Sequence, residues 1–167
     1  MTIHGMSRIL FSLFLRNTYF ELLLLKSKIM TGELLLNGKD AYNVFGITMG
    51  DGFIDSLLTS APQKEYIKNQ CRSNNGTSII NNNPRIDERT LSLAFSIEGL
   101  NRADYLAKLK LFYAEISNGL VTVKVPPLGN DVYKLYYQKP VANNGNVNKT
   151  ASKTVLQFIE PNPSDRS

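Results

Sequence analysis

The alternation of apolar and polar residues is clearest between residues 89 and 137, where it predicts a strand, a helix and two further strands. Within Thr90–Glu98 the odd-numbered residues are large and apolar, while the even-numbered residues are small, polar or charged. A period of two is typical of a strand that is buried on one face. The residues expected to face the core are Leu91, Leu93, Phe95 and Ile97.

A single amphipathic helix is predicted over residues 101–118. Asn101 can cap its first turn, where the negative charge of Asp104 suits the helix dipole. Apolar residues then recur at helical spacing and form one stripe: Tyr105, Leu109, Phe112 and Ile116. The pair Asn118-Gly119 ends the helix.

Further strands are predicted on both sides of this helix. They are Glu33–Leu36 before the Asn37-Gly38 turn, Leu120–Val125, Val132–Tyr137 and the alternating segment Lys153–Glu160. Ala41–Met49 is expected to be extended, and its expected core residues are Val44, Phe45 and Ile47. Phe53–Leu58 fits either a helix or a strand. The pattern predicts a mainly β (α+β) fold, a β-sandwich or partly closed barrel flanked by one helix.

Two polar segments rich in Asn and Gly interrupt the strands, at residues 72–84 and 140–150. Lys64–Cys71 could form a strand exposed on one face, and Thr77–Ile80 could pair as one arm of a long protruding hairpin. Polar segments of this kind can become ordered on a partner, although ordinary mobile surface loops have the same composition. Eight residues in them are candidate subunit-interface positions: Asn74, Asn75, Gly76, Asn81, Asn82, Asn143, Asn144 and Gly145.

The first 29 residues differ from the remainder in charge and in pattern. They carry four basic residues and one acidic residue, so they hold most of the chain's net charge of +5, and the remainder is too weakly basic to indicate nucleic-acid binding. Arg16 and Glu21 interrupt their apolar runs, which argues against a membrane-spanning helix. We predict that translation starts at Met30 and that residues 30–167 form one domain. A signal-like or amphipathic segment is the alternative interpretation of residues 1–29.

The domain lacks the residues that most catalytic and metal sites need. The one histidine, His4, lies in the extension, and Cys71 is the one cysteine. This composition excludes an internal disulfide, a Cys-based metal site and a nucleophile activated by histidine within the domain. We therefore predict no catalytic residue, no metal, no cofactor and no small-molecule substrate.

The remaining polar and aromatic candidates are better explained by surface and packing roles. Two carboxylate pairs lie in polar stretches, where a solvated position is commoner than acid–base catalysis: Asp51 with Asp55, and Asp87 with Glu88. Four tyrosines are expected to pack in the sheet and helix rather than to stack on nucleotides: Tyr113, Tyr133, Tyr136 and Tyr137.

The order of these elements resembles the N-terminal domain of distal tail proteins of long-tailed bacteriophages, and more broadly the tail-tube fold. The resemblance covers most of residues 30–161 and rests on three features. They are the strand Arg-x-Leu-x-Leu-x-Phe-x-Ile-x-Gly at residues 89–99, the helix after it, and Val-Tyr-x-Leu-Tyr-Tyr at residues 132–137. The resemblance implies a β-sandwich flanked by one helix and assembled as a ring around a channel. It carries no active-site motif to transfer.

The resemblance also implies a non-enzymatic structural protein of a phage or prophage tail or baseplate. The expected assembly is a ring, a hexamer by analogy, at the tube-to-tip junction or within the tube. Its expected partners are copies of itself and neighbouring tail proteins, while DNA passes through the lumen without specific binding and no membrane is involved. The expected location is the virion tail, after assembly in the host bacterial cytoplasm. The alternatives are a tube subunit or tail terminator, a small secreted bacterial binding module, and an enzyme that acts without histidine.

Overall fold

The computed structural model describes residues 22, 25, 30–70, 72–73, 75–80 and 83–167. The strands in these ranges are β1 (Leu35–Leu36), β2 (Lys39–Asp40), β3 (Ile47–Met49), β4 (Ile67–Asn69), β5 (Ser78–Ile80), β6 (Arg89–Glu98), β7 (Leu120–Lys124), β8 (Val132–Gly145) and β9 (Ala151–Glu160). The helices are α1 (Ala41–Phe45), α2 (Phe53–Leu58) and α3 (Arg102–Ile116), with a 3-10 turn at Pro126–Leu128.

The predicted mainly β fold with one long helix is confirmed. An antiparallel sheet of seven strands has the order β2-β1-β7-β8-β9-β6-β3, and β4 and β5 form a separate hairpin. The large sheet is not closed into a barrel, because its edge strands β2 and β3 do not pair with each other. The predicted extension lies outside the described residues except for Leu22 and Leu25, which are exposed. The start at Met30 therefore stays a prediction.

The core lies between the sheet and α3, as the two apolar patterns predicted. All four odd-numbered apolar residues of β6 are buried, and so are Tyr105, Phe112 and Ile116 of α3. Phe95 stands at the centre, with its ring centroid 5.3 Å from those of Phe53 and Phe112. Tilted and edge-on ring contacts at this distance are favourable beyond the area that they bury. The buried face of β6 and the apolar stripe of α3 therefore pack against each other through one aromatic cluster.

The predicted cap of α3 is confirmed in detail. The Asn101 side chain accepts a hydrogen bond from the backbone N–H of Asp104, and the Asp104 carboxylate accepts one from the N–H of Leu100. The first bond satisfies a donor that a helix start leaves unpaired, and the second ties the residue before the cap to the first turn. The bond from Leu100, followed by one from Lys108 at 2.9 Å, holds the pKa of Asp104 below its usual value.

The prediction of an extended Ala41–Met49 is wrong for its first half, which forms the helix α1. Asp40 caps this helix by accepting from the N–H of Asn43, and Gly46 ends it in the left-handed region. Glycine is required there, because a Cβ at Gly46 would lie 2.3 Å from the backbone oxygen of Glu98. The helical turn leaves Val44 exposed, so its assignment to the core is also wrong. The segment left open between helix and strand is the helix α2.

The predicted loop at residues 140–150 is much shorter in the structure, because β8 continues to Gly145. Its polar half pairs with β9 through Asn143↔Thr154, Asn144↔Lys153 and Gly145↔Ser152. Register shifts on either side of Pro140 interrupt the ladder, which lets a residue without an N–H lie within the strand. The hydrogen bonds offered by β9 thus outweigh the low strand preference of Asn, Gly and Pro.

Candidate subunit interface

Residues 62–87 leave the main sheet as a two-stranded ribbon, which we call the hairpin arm. At its base Pro62 accepts a hydrogen bond from the N–H of Asp87, and Lys64 donates its N–H to Arg85, both at 2.9 Å. Further out, β4 pairs with β5 in antiparallel register, as the prediction of a protruding hairpin required. Every strand residue in the arm is exposed, so the ribbon has water on both faces.

The arm exposes several large apolar side chains. Ile67 is 70% exposed, Ile79 56% and Ile80 44%. The register places Ile67 opposite Ile80 on one face, while Ile79 lies opposite Lys68 on the other. An isolated two-stranded hairpin is marginally stable, and exposed apolar clusters mark interaction sites. The arm therefore has the composition of a segment that a partner covers.

A second apolar surface lies on α3, on the side that faces away from the core. Five exposed apolar residues and the exposed Lys110 form it, and we call this surface the outer face of α3: Ala103, Leu106, Ala107, Lys110, Leu111 and Ala114. At about 100° per residue they fall on the side opposite Phe112. A helix with apolar residues on two sides is often buried on both, whereas the outer face of α3, with Lys110 at its middle, is exposed to water in this single chain.

The structure describes five of the eight predicted interface residues, and these lie in two separate places. Asn75 and Gly76 are exposed between β4 and β5, at the end of the arm. Three further candidates lie outside the described residues: Asn74, Asn81 and Asn82. The other three are exposed at the end of the strand β8 rather than in a loop: Asn143, Asn144 and Gly145. Their part in an interface stays a prediction.

The base of the arm and the β8–β9 turn lie at opposite ends of β6. The arm returns to the sheet beside Arg89, which pairs with Glu160, while the β8–β9 turn lies at the other end, where Glu98 pairs with Ala151. A strand of ten residues is about 30 Å long, so the base of the arm and this turn cannot form one patch on the same chain. Two separated patches are what a head-to-tail contact between copies requires.

The polar residues of the arm were predicted as interface positions, whereas its exposed apolar residues were not. The available signal was the pair Ile79-Ile80, together with Ile67, within a stretch otherwise rich in Asn, Ser and charged residues. The outer face of α3 was not predicted either, because an alanine on a helix surface can be exposed to water or covered by a partner. Exposure, rather than composition, distinguishes these residues from core positions.

The catalytic alternatives gain no support from the geometry of the described residues. Asp51 and Asp55 are exposed, and Asp51 forms an ion pair with Lys153 at 3.0 Å on the surface. Tyr133 is buried, and Tyr113 and Tyr137 pack against the core, as expected for a packing role, while Tyr136 is exposed. Burial raises the pKa of the Tyr113 hydroxyl. Within the described ranges there is no cluster of metal-ligating side chains.

Among the described residues, no helix combines the length and the apolar character needed to cross a bilayer.

The chain was also compared with known proteins. No family model matches it, and no curated protein matches it. Among solved structures, its fold is similar to the crystal structure of the SPP1 Dit (gp 19.1) protein, described as a paradigm of the hub adsorption apparatus in phages that infect Gram-positive bacteria. The TM-score is 0.54 at 13% identity, and the match covers 80% of this chain and 50% of the Dit chain. The predicted resemblance to a distal tail protein is confirmed for the fold, over about half the length of Dit.

Proposed function

We propose that this protein is a non-enzymatic structural subunit of a phage or prophage tail, which assembles with copies of itself into a ring at the tube-to-tip junction. The likeness of its fold to SPP1 Dit supports the assignment to a tail hub. The observation that carries the ring is the hairpin arm, with isoleucine exposed on both of its faces. A tube subunit or tail terminator is the alternative within the same class of protein.

A closed ring needs two different patches on each subunit that fit each other around a rotation axis. The hairpin arm supplies one patch. For the other we propose the outer face of α3 on the next subunit, because apart from Lys110 it is apolar and it is exposed in the single chain. The strand residues beside Ile67 and Ile80 on this face of the arm are Asn69 and Ser78, so the two strands bring no positive charge against Lys110. The polar residues at the arm's end would then contact the periphery of the same neighbour.

The energetics favour a closed ring over a dimer held by one arm contact. Covering what Ile67 and Ile80 now expose contributes about 2–3 kcal/mol, at about 1.5–3 kcal/mol for a fully buried side chain. Bringing two proteins together costs roughly 4–15 kcal/mol in lost freedom, so a single arm contact binds weakly. The subunit that closes a ring makes two contacts at once, and the second is effectively intramolecular. We propose six subunits, by analogy with the tail-tube fold.

The first experiment removes the apolar contact without touching the core. Ile67→Asn with Ile80→Asn should leave the circular dichroism spectrum and thermal melt unchanged and should abolish rings in mass photometry. The matched control replaces Val44 and Leu128 with asparagine, since each is 42% exposed and lies outside the arm and α3. Rings that persist in the arm variant would contradict the role of the arm.

The second experiment identifies the receiving surface. In a Cys71→Ser background, a variant with Ile80→Cys is mixed with a variant with Leu111→Cys under mild oxidation. A head-to-tail contact between the arm and the outer face of α3 predicts a disulfide-linked pair in the mixture, and none when either variant is oxidised alone. Pairs formed by Ile80→Cys alone would indicate a symmetric contact between two arms and would contradict the proposed geometry.

The proposed partners are other copies of the chain and neighbouring tail proteins, with DNA passing through the lumen without specific contacts. The proposed location is the virion tail, after assembly in the host cytoplasm. A small secreted binding module is the alternative from another class. It would remain monomeric when mixed with tail proteins, and its exposed isoleucines would bind an unrelated ligand. A tape-measure gene beside the gene for this protein would favour the tail.

A further inference from the structure

The base of the hairpin arm adjoins a buried network of charged side chains. Arg89 is 3% exposed and Glu160 1%, and the Nε of Arg89 donates to the Oε2 of Glu160. The other Glu160 oxygen faces the Nε of Arg166 at 3.4 Å. Both guanidinium groups also lie over the ring of Tyr133, at 5.9 Å for Arg89 and 4.6 Å for Arg166.

Arg89 also binds the chain where it departs toward the arm. Its Nη2 donates to the backbone oxygen of Leu57 at 3.1 Å, and its Nη1 donates to the backbone oxygen of Thr59. These carbonyls belong to the last turn and the cap of α2, three to five residues before the arm begins at Pro62. Arg89 itself follows the end of the arm at Asp87. One side chain therefore joins the segments on which the arm leaves and returns.

The chemistry of this contact is specific to arginine. The carbonyls at a helix C-terminus are short of donors and carry partial negative charge, and a planar guanidinium can reach two carbonyls and a carboxylate at once. Lysine carries the same charge on a single nitrogen, with a different reach. The cost of removing two charges from water can cancel the attraction between them, so a buried ion pair need not stabilise the fold overall. We therefore consider another role for this network.

We propose that Arg89 is a positioning residue, which sets the direction in which the hairpin arm leaves the sheet and thereby presents the arm to a neighbouring subunit. Glu160 holds the guanidinium in place, and Arg166 contacts the other Glu160 oxygen without reaching Leu57 or Thr59. The consequence for ring formation rests on the proposed function. The effect on the direction of the arm does not, because it is a property of one chain.

The test measures the direction of the arm in the monomer. Nitroxide labels at Lys68→Cys on the arm and Ala107→Cys on α3, in a Cys71→Ser background, give a distance distribution by pulsed electron paramagnetic resonance. We expect one narrow distribution with Arg89 intact. It should broaden roughly twofold in Arg89→Lys, because the ribbon then samples several directions. Arg166→Met is the matched control, since it removes a cation from the same carboxylate without touching Leu57 or Thr59, and its distribution should stay narrow.

A second variant guards against a folding defect. Arg89→Met with Glu160→Met removes both charges, a replacement that is often tolerated when the new side chains fill the space. It should retain a cooperative melt and still show the broad distribution. Narrow distributions in both Arg89 variants, with the proteins folded, would overturn the proposal.

Ring assembly is measured in a separate experiment. If wild type forms rings, Arg89→Lys should weaken the assembly constant by roughly tenfold or more, since a freely moving arm loses orientational freedom on binding. Broad distributions in a protein that never forms rings would support the role of Arg89 and contradict the proposed function. Loss of rings with narrow distributions would contradict the role of Arg89.

Discussion

Replacing Phe112 with alanine tests how α3 is held on the sheet. The side chain is fully buried, and its ring centroid lies 5.3 Å from that of Phe95, 6.3 Å from that of Phe45 and 5.7 Å from that of Tyr113. Truncating a buried phenylalanine costs roughly 3–5 kcal/mol, which combines lost transfer energy with the cavity left behind. The ring is held by a strand, a short helix and its own helix, so the site cannot easily collapse. We therefore expect a cost toward the upper part of that range.

Chemical denaturation followed by circular dichroism measures this cost. The midpoint should fall with an unchanged slope, and the thermal midpoint should fall by roughly 10–20 °C for a domain of this size. Leu111→Ala is the matched control, because Leu111 is the adjacent residue of α3 and is exposed, so its effect in the monomer should be small. Equal effects of the two substitutions would refute the assignment of Phe112 to the centre of the core.

Two further predictions concern the first turn of α3 and the segment before Met30. Asp104→Asn should destabilise the protein near neutral pH but not in acid: the pKa of Asp104 is lowered in the folded state, so its stabilising contribution is present above the unfolded pKa and is lost as the pH falls through the folded pKa. Equal effects of this substitution at both pH values, in urea titrations, would contradict this. A protein beginning at Met30 should melt at the temperature of the full chain, and a lower melting temperature would show that residues 1–29 contribute to the core.

The sequence predicted best those elements whose burial is periodic. The odd-numbered residues of β6 and the stripe of α3 are each buried on one side over several repeats, so the pattern is unambiguous. The helix α1 has five residues, which is too short for a helical period to be visible, and its signals were the cap Asp40 and the terminal Gly46. The outer half of β8 is exposed on both faces, so no alternation marked it as a strand.

The interface could be predicted only in part, for a different physical reason. The Asn and Gly residues between β4 and β5 marked a turn, and the sequence therefore located the hairpin. The exposure of Ile67 depends on which surfaces the remainder of the chain covers, and this is set by tertiary packing. The burial of Arg89 could not be predicted for the same reason, since its contacts lie 30 and 71 residues away along the chain. A strand-end arginine gives no local sign of burial.

Ring formation is tested most directly by the mass distribution of the purified protein, measured by native mass spectrometry with and without neighbouring tail proteins. We expect one closed oligomer, a hexamer by analogy, which the substitutions at Ile67 and Ile80 convert to monomer. A wild-type protein that stays monomeric at high concentration, alone and with those partners, would contradict the ring and favour a binding module.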